Sequence, residues 1–127
     1  MKVLLDTHAI LWFFSDDEKL SVAARKNITN VSNDIYVSIA SAWEIAIKIS
    51  LGKLKVEGGI EKYFSAVRDS GFFTFPIKKE YIEYLETLPY HHRDPFDRML
   101  ISTAIKEGIS IVSTDKSFDD YQLPRIW

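Results

Sequence analysis

The sequence predicts an α/β fold with a mainly parallel central sheet, and two observations carry that expectation. Strand-like runs alternate with helix-like periodicities along the chain, the pattern of parallel strands joined by helical crossovers. The strand runs are apolar without alternation, as required when both faces of a sheet are covered. The chain has 127 residues, 46% hydrophobic and 27% charged, the ordinary mix of a globular chain able to build its own core. No repeat, linker or low-complexity stretch interrupts it, so one domain over residues 1–127 is expected.

Val3-Leu4-Leu5 reads as a short buried strand. Thr7 is a candidate N-cap for a helix over His8–Phe14, which ends at the polar break Ser15-Asp16-Asp17-Glu18. Ser21 caps a second helix to about Thr29, and Ile35-Tyr36-Val37 is β-branched and aromatic, hence a strand. Ser38 then caps a helix that runs to Leu51-Gly52, where glycine supplies the stop. Ile60, Phe64 and Val67 recur at helical spacing before Gly71, and Phe72–Phe75 reads as a strand closed by Pro76. Ile77, Tyr81, Ile82, Leu85 and Leu88 mark another amphipathic helix, stopped by Pro89. Asp94-Pro95 opens a helix through Lys106 that Gly108 terminates. Ile109–Val112 is a strand, and Arg125-Ile126-Trp127 a short edge strand.

Several function classes fall away on composition. Cysteine is absent, which removes disulfides, thiolate metal sites and cysteine nucleophiles. Asp6 interrupts the first apolar run too early for a secretory signal. The next run, Ala9–Phe14, is far short of the ~20 residues a membrane span needs. A cytoplasmic protein without membrane contact is expected. With 16 Lys and Arg against 18 Asp and Glu, the net charge is −2. A nucleic-acid partner would therefore be held by a local patch or a metal, not by a global basic field.

The chemistry gathers where strands end. In open α/β sheets ligands bind beyond the carboxyl ends of the strands. Asp6 follows the first strand directly, and Asp115 follows the strand Ile109–Val112 after Ser113-Thr114. Glu44 lies in the second turn of the helix after Ile35–Val37, within a polar stripe with Ser41 and Lys48. Asp97 lies in the first turn of the helix opened by Asp94-Pro95. Four carboxylates at one sheet edge repel unless protons or cations compensate. An oxygen-only ligand set, with no cysteine and no paired histidines, favours Mg²⁺ or Mn²⁺ over zinc.

Each acid also has a structural reading. Asp6 can cap the helix that follows it. Asp94 is better explained as an N-cap before Pro95 than as a ligand. Asp97 can complete a capping box, although its side chain is shorter than the usual Glu. Asp115 can be a turn residue, as Asp119 and Asp120 are read to be. Four acids at strand ends raise the metal reading above these alternatives.

Leu4-Leu5-Asp6-Thr7-His8, and Ser41-Ala42-Trp43-Glu44-Ile45-Ala46-Ile47-Lys48 with Gly52-Lys53-Leu54, resemble the first two motifs of PIN-domain nucleases. His92-Arg93-Asp94-Pro95-Phe96-Asp97-Arg98-Met99-Leu100-Ile101 and Ser113-Thr114-Asp115-Lys116-Ser117-Phe118 resemble the third and fourth. Order, spacing and length are similar to VapC-type toxin subunits of VapBC toxin–antitoxin modules, over nearly the whole chain. The resemblance implies a Rossmann-like α/β/α sandwich and a Mg²⁺- or Mn²⁺-dependent endoribonuclease that cleaves RNA. It carries the catalytic and metal-binding acids to Asp6, Glu44, Asp97 and Asp115, with Asp94 an ambiguous extra. Asp6, Asp97 and Asp115 are then the direct or water-mediated ligands, and Glu44 ligates the metal or orients the attacking water. The family's hydroxyl position near the fourth acid matches Ser113 or Thr114, and Thr7 follows the first acid. The resemblance also implies a homodimer bound to a cognate antitoxin protein.

Lys48, Arg93, Arg98 and Lys116 adjoin the acids and are candidate RNA-phosphate contacts, although solvated surface charge is the simpler reading of each. Histidine chemistry makes His91 and His92 candidate general acids, but both are read as a loop pair that packs or caps. Trp12, Phe13 and Phe14 can stack on bases, but so dense a segment is more often core, or a dimer or antitoxin surface. Two other classes compete. A receiver-type phosphoacceptor predicts an acid pair after the first strand and no Glu44, and a binding module uses the acids only to hold a basic partner. A housekeeping RNA-processing nuclease is the alternative within the nuclease class.

Overall fold

In a computed structural model covering residues 1–127, strands β1 (Lys2–Leu5), β2 (Asp34–Ser38), β3 (Phe73–Phe75), β4 (Ser110–Val112) and β5 (Arg125–Ile126) form one sheet. Their order is β3-β2-β1-β4-β5, and every neighbouring pair is parallel. The expected α/β architecture is therefore present. Helices α1 (Thr7–Phe14), α2 (Val22–Thr29), α3 (Ile39–Ser50), α4 (Gly59–Asp69), α5 (Lys79–Thr87) and α6 (Pro95–Glu107) make the crossovers. None is long and apolar enough to cross a membrane.

The order of the strands sets the place of the site. From β1 the chain steps outward through β2 to β3, then returns across the sheet to lay β4 on the other side of β1. Connections leave β1 and β4 in opposite directions, which opens a crevice at their carboxyl ends. Asp6 stands at the end of β1 and Ser113 at the end of β4, with Asp6 N donating to Val112 O at 3.1 Å.

Side-chain alternation along β1 builds both layers of core. Val3 and Leu5 pack with Ile10, Ala24, Ile45, Tyr63 and Val67 on one face. Leu4 packs with Leu100, Ile101, Phe118 and Leu123 on the other. Full burial of such a side chain contributes about 1.5–3 kcal/mol, so the switch point rests on a rigid floor.

Element boundaries follow the expected punctuation, with three differences. Helix α1 is capped by Asp6, not Thr7: Asp6 Oδ1 accepts from Ala9 N at 2.8 Å. Two cap-competent residues are adjacent there; Asp6 takes the role, and Thr7, already the first helical residue, donates from Oγ1 to Ser41 Oγ at 3.0 Å. Helix α5 begins at Lys79, two residues past the first periodic position. A 3₁₀ turn over Lys116–Tyr121, capped by Asp115, follows β4. Gly108 ends α6 at φ 65°, a conformation that costs a residue with a Cβ.

Candidate metal centre

Four acids converge on the crevice at two depths. Asp6 and Glu44 form its floor, 4% and 6% exposed. Asp97 and Asp115 form its rim, with side chains 26% and 40% exposed. Each is placed by the first turns of an element that leaves the sheet. Asp6 is the cap of α1, Glu44 sits on the inward face of α3, Asp97 is in the first turn of α6, and Asp115 caps the 3₁₀ turn.

The electrostatics follow from that crowding. Burial raises the Asp6 carboxyl above its ordinary value, against hydrogen bonds from Ser113 and Ala9, and Asp115 adds a small upward push. Asp97 is pushed up to about 7 by burial first, then by the charge of Asp94, with Asp6 and Glu44 adding to it and His92 opposing. Burial also acts upward on Asp115, but the Ser117 and His92 hydrogen bonds prevail and hold it low. Ser117 donates twice to Asp115 Oδ1, from N at 2.9 Å and Oγ at 2.7 Å.

His92, expected only to pack or cap in its loop, instead bridges the two rim acids. Its Nε2 lies 2.8 Å from Asp115 Oδ2 and 3.2 Å from Asp97 Oδ2, and its Nδ1 accepts from Asp94 N at 3.1 Å. The ligand atoms of His92, Asp97 and Asp115 lie within 4.8 Å of one another. The loop it occupies has no periodicity to announce this; the signal was its place at the head of the motif that carries Asp97.

The remaining candidates divide. Asp94 Oδ1 accepts from Asp97 N at 2.9 Å, the N-cap geometry expected of it. Ser113 is buried and accepts from Asp115 N at 3.0 Å, whereas Thr114 is exposed. The hydroxyl inside the site is therefore Ser113, not Thr114. Thr7 is buried beside it and bonded to Ser41. Arg93 and Lys116 are exposed. Lys48 Nζ sits 2.7 Å from Glu44 Oε2.

Arg98 does not face RNA. It is 3% exposed, and its guanidinium donates to the carbonyls of Leu85, Leu88, Pro89 and His92 at 2.9–3.3 Å. Tyr90 covers it, 3.8 Å from ring centroid to Cζ. This residue ties down the loop that carries His92 and Asp94. A lysine there keeps the charge but cannot span four carbonyls. Arg98→Lys is therefore expected to lower stability by about 1–2 kcal/mol, read from the midpoint of urea unfolding; an unchanged midpoint would refute this role.

One polar atom calls for a ligand. Glu44 Oε1 is buried and has no hydrogen-bond partner in the protein. A buried, unsatisfied carboxylate oxygen is costly, and it sits among acids that already repel one another. Oxygen donors of this kind suit a hard divalent cation, so the residues fit such an ion.

Comparison with known proteins identifies relatives of the whole chain. The PIN domain profile matches residues 3–123. Ribonuclease VapC22 of Mycobacterium tuberculosis is 26% identical over 127 residues, covering 97% of this chain and 94% of that protein. Among solved structures, VapBC2 from Rickettsia felis, bound to a DNA fragment from its promoter, superposes with TM-score 0.74 at 17% identity, covering 98% of this chain and 97% of that one. VapBC-1 from nontypeable Haemophilus influenzae gives TM-score 0.70 at 15% identity, covering 98% and 96%.

Proposed function

The chain belongs to the PIN domain family, and from that premise we propose that residues 1–127 form one divalent-metal-dependent endoribonuclease domain, the toxin of a toxin–antitoxin pair. The observation that carries this is the convergence of Asp6, Glu44, Asp97 and Asp115 at the switch point, with Glu44 Oε1 buried and partnerless. The likeness to Ribonuclease VapC22 supports RNA as substrate. The VapBC complexes among the structural relatives support an antitoxin partner, and a homodimer and a cytoplasmic setting go with that reading.

In this reading Asp6, Asp97 and Asp115 hold Mg²⁺ or Mn²⁺, directly or through water. When bound, such an ion would supply a water of lowered pKa and would offset charge on the phosphoryl oxygens. Glu44 uses Oε1 to ligate the ion or to orient the attacking water. Asp97, pushed up to about 7, would have to be deprotonated to hold such an ion, so metal affinity is expected to strengthen as pH rises to neutrality. His92 fixes the facing oxygens of Asp97 and Asp115. Exposed Arg93 and Lys116 remain candidates for phosphate contact.

A phosphoacceptor has no use for Glu44 beside a lone Asp6, and a pure binding module has no use for a buried, unpartnered carboxylate oxygen. Incubation with tRNA, rRNA and mRNA in Mg²⁺, Mn²⁺ or EDTA tests the proposal. Metal-dependent cleavage is expected, and RNA left intact in both metals would overturn it. Expressed alone in bacteria, the wild-type chain should arrest growth while Asp6→Asn permits it. Normal growth with soluble wild-type protein would favour a housekeeping nuclease or a binding module.

A further inference from the structure

Of the four acids at the crevice, Glu44 is the one paired with a lysine. Lys48, one turn further along α3, donates from Nζ to Glu44 Oε2 at 2.7 Å, while Oε1 is buried without a partner. Glu before Lys at a spacing of four is the favoured order on a helix, and such pairs are common on solvated surfaces. This pair is of another kind. The Glu44 side chain is 9% exposed against 37% for Lys48, so the ammonium reaches inward to an acid of the floor. The two oxygens of one carboxylate are thereby made unequal, one committed and one left over.

The same division recurs across the site. Asp6 Oδ1 accepts from Ala9 N, Asp115 Oδ1 takes both Ser117 donors, and Asp97 Oδ2 faces His92 Nε2. Every acid thus has at least one oxygen committed to the protein. Mg²⁺ binds through few carboxylate oxygens and keeps several waters, whereas Ca²⁺ takes ~6–8 oxygens and accepts both from one carboxylate. Carboxylates that are half committed limit how many oxygens the site can offer. The restraints on Asp6 and Asp115 are helix caps, inseparable from the fold. The restraint on Glu44 is a single half-exposed side chain.

We propose that Lys48 is a positioning residue: by holding Oε2 it keeps Glu44 to one free oxygen, Oε1, and so biases the site toward Mg²⁺ over Ca²⁺. The proposal rests on the metal-dependent nuclease reading above, and it takes Lys48 out of the candidates for RNA-phosphate contact.

The test is isothermal titration of the RNA-free chain with Mg²⁺ and with Ca²⁺, comparing wild type with Lys48→Met. Methionine keeps an unbranched stem and loses the ammonium. Removing a nearby cation favours any divalent ion, and taking support from Glu44 disfavours it. The ratio of the two affinities is therefore the readout, and it should shift toward Ca²⁺ about fivefold or more. Lys48→Ala, the best helix former, repeats the comparison if a melt in EDTA shows the methionine variant poorly folded. In a Glu44→Gln background, adding Lys48→Met should leave the ratio unchanged, because an effect routed through Glu44 has nothing left to act on. In RNA cleavage with Mg²⁺, Lys48→Met should lower kcat about tenfold or more, with KM within about twofold.

An unchanged ion ratio, or one that shifts as much in the Glu44→Gln background, would overturn the proposal and leave the nuclease reading intact. A raised KM at unchanged kcat would also overturn it and return Lys48 to the RNA phosphates. A lysine-dependent ratio in a chain that cleaves no RNA would uphold the role of Lys48 and sink the nuclease. Wild-type titrations showing uptake of neither ion would sink both.

Discussion

Asp97→Asn is expected to lower the proposed metal-dependent RNA cleavage on the order of 10³-fold while the chain folds normally, and Asp94→Asn to lower it by no more than about threefold. The first substitution keeps the shape of the side chain and removes the charge that would hold the ion, a loss comparable to deleting one electrostatic stabiliser of a transition state or more. The second removes a carboxylate whose visible work is to accept from Asp97 N, and Asn caps a helix about as well as Asp. A lesser effect separates the two further. Asp94 helps to raise Asp97, so Asp94→Asn should move the acid limb of the pH–rate profile downward. Single-turnover cleavage across pH checks both outcomes. Equal losses would show that the division between ligand and cap is mistaken.

Metal and pH together should govern stability. Asp97 titrates from 3.8 in an ordinary setting to about 7 here, and Asp6 is raised as well. Across that window the metal-free native state holds more protons than the unfolded chain, so stability in EDTA falls as pH climbs from about 4 to about 7. Asp115 and Glu107 are held low; their contribution is present above the ordinary carboxylate range and is lost only as pH falls below it, outside the window. An ion that binds the native cluster and not the unfolded chain adds roughly 2.7 kcal/mol at ~100 times its dissociation constant, on the order of 10 °C for a domain this size. Asp97→Asn in EDTA at neutral pH should melt above wild type and gain less from Mg²⁺. Thermal melts with EDTA, Mg²⁺ and Mn²⁺ at several pH values measure all of this. A wild-type melt indifferent to millimolar metal would count decisively against a preassembled site.

The parts of this site that sequence made legible are those tied to periodicity. Asp6, Glu44, Asp97 and Asp115 each stand a fixed step from a strand end or helix start, and the expected elements place them at the same edge. Arg98 is less legible, since a cation on an amphipathic helix is ordinarily solvent-facing, and only the last turn of α5 and the loop to α6, folding over it, supply the carbonyls that bury it. The choice between Ser113 and Thr114 depends on which hydroxyl a bend turns inward, and the two share every local preference. His92 lies in a loop whose contacts, to Asp115 and Tyr121, span 23 and 29 residues of sequence. Such long-range meetings leave no trace in spacing.

The bond from Asp94 N–H into His92 Nδ1 has a consequence for which ions the site can accept. An imidazole nitrogen that receives an N–H must present a lone pair, so the neutral ring carries its hydrogen on Nε2. That is the atom facing Asp97 and Asp115, and in this tautomer it is a donor with no electrons to give. To ligate an ion, His92 would have to exchange tautomers and leave the Asp94 amide unanswered. Ions that prize nitrogen over oxygen, zinc among them, would meet that penalty; those content with carboxylates and water would not.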